Sequence, residues 1–134
     1  MWDTSIVTTS RPKQLVWVGS SLNDLRAFPE EVRQVMGFAL FEAQMGGKHV
    51  AAKPLRGFKG AGVLEVVDDF DGDTFRAVYT VRFTDAVYVL HAFEKKSKKG
   101  ISTPRRNIDL VQDRLKMAQQ IHDARHGATK GKRT

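Results

Sequence analysis

The chain has no cysteine, so it carries no disulfide framework and no thiol chemistry. It also lacks any apolar run approaching the ~20 residues that a membrane-spanning helix needs, and its first residues show no secretory-leader pattern. The expectation is a cytoplasmic protein with no membrane partner. No internal repeat is present. No serine–histidine–aspartate order can be read, and neither a calcium loop nor a two-metal spacing of carboxylates appears. The histidine pair His122 and His126 is four residues apart, but it lacks a third ligand and a general base. No metal and no cofactor are therefore expected.

What remains is a 134-residue chain, 41% hydrophobic and 28% charged, enough for one domain with a real core. Its charge is uneven. Residues 1–90 hold 10 Lys/Arg against 11 Asp/Glu, whereas residues 91–134 hold 12 against 4. A near-neutral body with a strongly basic end suggests nucleic acid, an anionic membrane surface or an acidic protein. A solvated, charged helix and tail explains the same numbers.

The stretch Ala86 to Gly100, AVYVLHAFEKKSKKG, organises the rest. Ala86 to Phe93 is a short apolar run suited to a strand buried on both faces, and it leads into Lys95, Lys96, Lys98 and Lys99. Upstream, residues 1–12 lack periodicity and are predicted to be a flexible lead-in. Leu15 to Val18 reads as a strand closed by Gly19, and Ser20 or Ser21 can cap a helix reaching about Ala27. Pro29 starts a second helix, with Glu30 and Glu31 near its positive end. Val32, Val35, Met36, Ala39, Leu40 and Ala43 form its buried stripe; Phe38, Phe41 and Met45 are predicted to widen it. Gly46-Gly47 ends it.

Lys48 to Gly62 reads as a loop in which Lys53, Arg56 and Lys59 alternate with glycines, without phosphate-loop spacing. Val63 to Phe70, Thr74 to Phe83 and Ala86 to Phe93 are three strands of an antiparallel meander, the first two joined by Asp71-Gly72. Alternation puts Phe75, Ala77, Tyr79, Val81 and Phe83 on one face and Arg76, Val78, Thr80 and Arg82 on the other. The two arginines face solvent or line a cleft for phosphate. The acidic residues Glu65, Asp68, Asp69, Asp71 and Asp73 are expected to solvate the hairpin. Thr103-Pro104 starts a helix, threonine as cap, with Ile108, Val111, Leu115 and Ala118 along one edge, joined by Leu110, Met117 and Ile121. It reaches about Ala124, before a basic disordered tail over 125–134. The domain is thus 13–124.

The chemistry within reach is that of cations. Lysines and arginines can grip a phosphodiester, stabilise its pentacovalent transition state and help a ribose 2′-hydroxyl attack the adjoining phosphorus. A well-placed donor contributes roughly 3–4 kcal/mol to such a step. His91, inside the strongest strand, is either a satisfied core histidine or a catalytic group.

The order of elements, with Lys53-Pro54-Leu55-Arg56-Gly57, Leu64-Glu65, Phe75-Arg76-Ala77-Val78-Tyr79, Val89-Leu90-His91-Ala92-Phe93-Glu94-Lys95-Lys96-Ser97 and Thr103-Pro104, resembles the phage-derived Gp49-like, HigB-type branch of the RelE/ParE toxin superfamily. The resemblance covers about residues 15–120. It implies an α+β fold: a compact antiparallel-meander sheet with two N-terminal helices packed on one face and a C-terminal helix. It implies the toxin of a type II toxin–antitoxin system, a metal-independent endoribonuclease that cleaves mRNA, often on the ribosome, and a helix-turn-helix antitoxin as partner. Carried over by position, Arg56, Arg76, Lys95 and Lys96 would act on the scissile phosphate, with His91 as acid or base. Lys53, Lys59, Arg82, Lys98 and Lys99 would bind RNA. One departure is Val67, where many relatives of that branch have arginine. Two other readings stay open: a non-nuclease toxin of the same fold, directed at gyrase or a phage host factor, and a non-toxic nucleic-acid-binding module.

Overall fold

The fold, described by a computed structural model over residues 12–96 and 103–133, is built around the strand that the apolar run forms. The elements are β1 (Gln14–Trp17), α1 (Ser21–Arg26), α2 (Glu30–Gln44), β2 (Ala52–Pro54), β3 (Val63–Phe70), β4 (Asp73–Thr80), β5 (Ala86–Lys95) and α3 (Arg105–Arg133). They form one five-stranded sheet in the order β1-β5-β4-β3-β2. The expected meander β3-β4-β5 is antiparallel. β1 adds to it in parallel with β5, making the sheet mixed.

Each face of the sheet has its own core. On one side Leu25, Phe28, Val32, Met36, Ala39, Leu40 and Ala43 of α1, α2 and their connection pack on Val66, Phe75, Ala77, Tyr79, Val87 and Val89. On the other, Val111 and Ala118 of α3, flanked by Ile108, Leu115 and Ile121, pack on Val63, Val78, Ala86, Tyr88 and Leu90. β5 is thus covered on both faces, as its sequence required. The loop after β2 completes the second core with Leu55 and Phe58.

A bulge in β5 decides which side chains reach which face. The pairs Arg76↔Phe93, Ala77↔Ala92 and Val78↔His91 give way to Tyr79↔Val89, leaving Leu90 as the extra residue. An inserted residue advances the alternation by one, so Leu90, His91 and Phe93 lie on the α3 face while Val89 and Ala92 lie on the α2 face. Neighbouring groups take up the carbonyls at the bulge. Arg114 donates to Leu90 O (3.0 Å) and to Ser20 Oγ (3.0 Å); Val18 N and Ser21 Oγ donate to Val89 O at 3.0 and 3.1 Å. Gly19, beside the Arg114 guanidinium, has a φ of +59°, a backbone conformation that suits glycine.

Several expectations are corrected. Phe38 and Phe41 are 66% and 50% exposed and Met45 is also exposed, because positions 38, 41 and 45 fall on the side of α2 away from the sheet. Part of the expected loop is strand β2, paired with β3. β4 stops at Thr80, so alternation ceases there and Phe83 packs on the α3 side against Tyr88, 5.0 Å between ring centroids. Ser20 Oγ bonds Asp24 Oδ2 rather than a helix amide. At the start of α3 it is Pro104 whose carbonyl accepts the first helical bonds, leaving the Thr103 hydroxyl for other partners. α3 continues to Arg133 instead of ending near Ala124. The expected lead-in lies, apart from Pro12, outside the described residues.

Candidate functional site

Pairing across the sheet sets the site on the α3 face. Lys53 of β2 is opposite Glu65 of β3, Glu65 is opposite Val78, and Val78 is opposite His91. The next row is Val67, Arg76 and Phe93, and the one beyond ends in Thr74 and Lys95. This face carries a cleft of about 530 Å³ lined by Lys53, Pro54, Leu55, Arg56, Glu65, Thr103 and Ile108.

At its floor is a closed polar cluster. Arg76 Nη1 donates to Glu65 Oε2 at 3.2 Å and to Thr103 Oγ1 at 3.1 Å. Thr103 Oγ1 in turn donates to the same Glu65 oxygen at 2.6 Å. Arg76 is 2% exposed and Glu65 3%. Burying the two charges costs several kcal/mol each, which their mutual attraction and the threonine hydroxyl offset. Glu65 therefore does not solvate the hairpin, and Arg76 is no solvent-facing arginine. The rim is different: Lys53 and Arg56 are exposed.

His91 is 6% exposed, stacked on Phe93 at 4.8 Å, and its Nε2 is 2.8 Å from Asn107 Oδ1. An amide oxygen only accepts, so Nε2 carries the proton and the ring is fixed in that tautomer. Burial pulls its pKa below the ordinary value, against the smaller effect of the Asn107 bond. The arrangement is that of a held core histidine.

Lys95 and Lys96 stand at the end of β5, Lys95 half-buried and Lys96 exposed. Carboxylates crowd the same end. A hydrogen bond with Asp73, and then burial, raise the Glu94 pKa while Lys96 opposes them. Lys59 lies in a second, neighbouring hollow of about 660 Å³ that shares Arg56. Arg82 lies beyond the opposite end of β4, its guanidinium 5.9 Å over the Phe83 ring, and does not join the cleft. Lys98 and Lys99 lie outside the described residues.

Two groups were missed by reading the sequence. Thr103 is part of the polar cluster. Arg105 and Arg106, exposed in the first turn of α3, stand next to it with no acidic residue in that turn. Cations at a helix's positive end are disfavoured by about 0.3–1 kcal/mol each. That was the available signal: a threonine–proline helix start followed by two arginines.

Among solved structures, the chain is similar to a doubly substituted form of the E. coli toxin RelE in the free state. The TM-score is 0.52 at 17% identity, over 80% of this chain and 98% of that one. It is also similar to the toxin–antitoxin complex RelBE2 from Mycobacterium tuberculosis, with TM-score 0.42 and 19% identity over 64% of this chain and 94% of that one. The first likeness gives the class of fold, that of the RelE toxins. No curated protein matches. A family model, phage derived protein Gp49-like (DUF891), matches residues 23–116, and the chain belongs to that family.

Proposed function

We propose that the protein is the toxin of a type II toxin–antitoxin system of the HigB type, a metal-independent endoribonuclease that cleaves mRNA, ribosome-associated, in the cytoplasm. The observation that carries this reading is the cleft in which exposed Lys53 and Arg56 overhang the buried Glu65–Arg76–Thr103 cluster. Lys53 and Arg56 bind the phosphate oxygens that gain charge in the transition state. Glu65, oriented by Arg76 and Thr103, takes the proton of the 2′-hydroxyl as its oxygen attacks phosphorus. The 5′-oxygen then leaves, protonated from solvent. Arg76 acts through Glu65 as a positioning residue. Lys95, Lys96, Arg105 and Arg106 supply the surrounding positive field. A helix-turn-helix antitoxin is the proposed partner, and the adjacent reading frame should encode it. The exposed apolar stripe of α2 supports a protein partner, since such patches are commonly covered.

A second reading, a toxin of the same fold that binds without cleaving, is favoured by one feature. Val67 stands opposite Arg76, where the cleft would otherwise gain a cation.

Inducible expression with mapping of transcript 5′ ends separates these readings. Codon-linked cuts that vanish in the Lys53→Ala/Arg56→Ala double variant, with growth restored, are the expected result. Intact transcripts with arrested replication would instead establish a gyrase-directed toxin. Unimpaired growth would leave a binding module.

A further inference from the structure

At the end of β5 remote from Lys95, α3 and the turn before the strand bring together three metal-ligating side chains: Asp85, His122 and His126. Their donor atoms all lie within 4.8 Å of one another. Asp85 supplies the third ligand that the histidine pair lacked in the sequence. His122 Nδ1 is 3.7 Å from Asp85 Oδ1, and His126 Nε2 is 3.0 Å from Asp85 Oδ2. Zinc bonds of about 2.0–2.2 Å place tetrahedral ligand atoms roughly 3.3–3.6 Å apart, a spacing that small rotations of these three side chains would reach with one oxygen of Asp85 and one nitrogen of each ring.

The His126 ring is oriented by the backbone of its own helix. His126 Nδ1 lies 3.3 Å from the His122 carbonyl oxygen; the carbonyl only accepts, so Nδ1 is the donor. The ring's other nitrogen, Nε2, faces Asp85 Oδ2. A ligating histidine characteristically has its other nitrogen held by a carbonyl in this way. His122 is half-buried, its ring against Phe83 at 4.3 Å between centroids and 4.0 Å from that of His126.

We propose that Asp85, His122 and His126 bind one divalent cation of the zinc class, water completing the coordination. Two imidazoles and one carboxylate suit Zn²⁺, Co²⁺ or Ni²⁺ and are a poor set for Mg²⁺ or Ca²⁺, which prefer oxygen. The cation pins the far turns of α3 to the β4–β5 turn. This assignment is independent of the ribonuclease reading, whose cleft lies at the other end of the sheet.

The test is calorimetric titration of the full chain with ZnCl₂, alongside the visible spectrum with Co²⁺. One saturable equivalent, a tetrahedral cobalt spectrum and a raised thermal midpoint are expected. Asp85→Asn and His126→Ala, both at exposed positions, should each weaken binding by about tenfold or more while the far-ultraviolet spectrum is retained. His49→Ala should leave binding unchanged. Absence of a saturable equivalent, or binding that survives both Asp85→Asn and His126→Ala, would overturn the assignment.

Discussion

Arg76 and Arg56 are both arginines of the same cleft, yet removing one should have a different consequence from removing the other. Arg76 is buried with Glu65, so Arg76→Ala leaves a carboxylate unpaired in a low-dielectric setting, a change that costs about 3–5 kcal/mol. Growth arrest lost in that variant would report unfolding as readily as lost chemistry. Arg56 is exposed, and Arg56→Ala should change the unfolding free energy by no more than about 0.5 kcal/mol. Urea denaturation of both variants checks this; equal losses would mean that the polar cluster is not closed in solution. His91 offers a second measurement. Its folded pKa lies below the ordinary value of about 6.5, so the unfolded chain takes up a proton that the folded protein refuses. Stability is then fully present above that value and declines as pH falls through it. Between pH 7 and 5 the thermal midpoint of the native chain should fall more steeply than that of His91→Gln. Parallel curves would show that the ring is solvated.

At the scale of elements, α2 has two apolar sides with different fates. Met36 is fully buried against the sheet and Phe38 is not. Met36→Ala should cost about 2–5 kcal/mol and Phe38→Gln almost nothing, as thermal unfolding of the two variants would show. The first strand, the three helices and the three meander strands were legible in the sequence because their signals are local: periods of 3.6 and 2, an Asp-Gly turn, a proline at a helix start. What was not legible depends on partners distant in the chain. Phe38 and Phe41 have the same hydrophobicity as core residues, and only the direction of the helix axis over the sheet separates them. β2 is three residues long and exists through its pairing with β3. The buried ion pair joins residues 11 apart in sequence and then Thr103, 27 beyond Arg76. Within the candidate site, Arg56 and Lys53 were identified from their basic, glycine-rich loop. Glu65 was misread because its acidic neighbours Asp69 and Asp71 are exposed. The parity of a strand assigns Glu65 to a face; it does not say what covers that face.

For the molecule as a whole, positive charge is gathered near one end of the sheet, where β5 delivers Lys95 and Lys96 and where α3 starts with Arg105 and Arg106. Attraction of a single-stranded polyanion to such a surface releases counterions, so log affinity should fall linearly with log salt, by about 0.7 per phosphate neutralised. Binding of a short single-stranded RNA, measured from 50 to 300 mM salt, should show this slope. Lys53→Ala and Arg56→Ala should each lower it by about 0.7 if each side chain neutralises one phosphate. A slope unchanged in both would move the RNA away from the cleft.

The extra residue in β5 also fixes the sign of the charge beside the cleft. Counting outward from Val89 in strict alternation, position 94 would share the side of α3 and position 95 that of α2. An unbulged strand of this sequence would therefore present the Glu94 carboxylate where Lys95 now stands, and anion repulsion would replace attraction. Leu90 thus serves as a half-period delay in the strand: its side chain fills the core, while its presence in the count selects which polarity the strand delivers at its end.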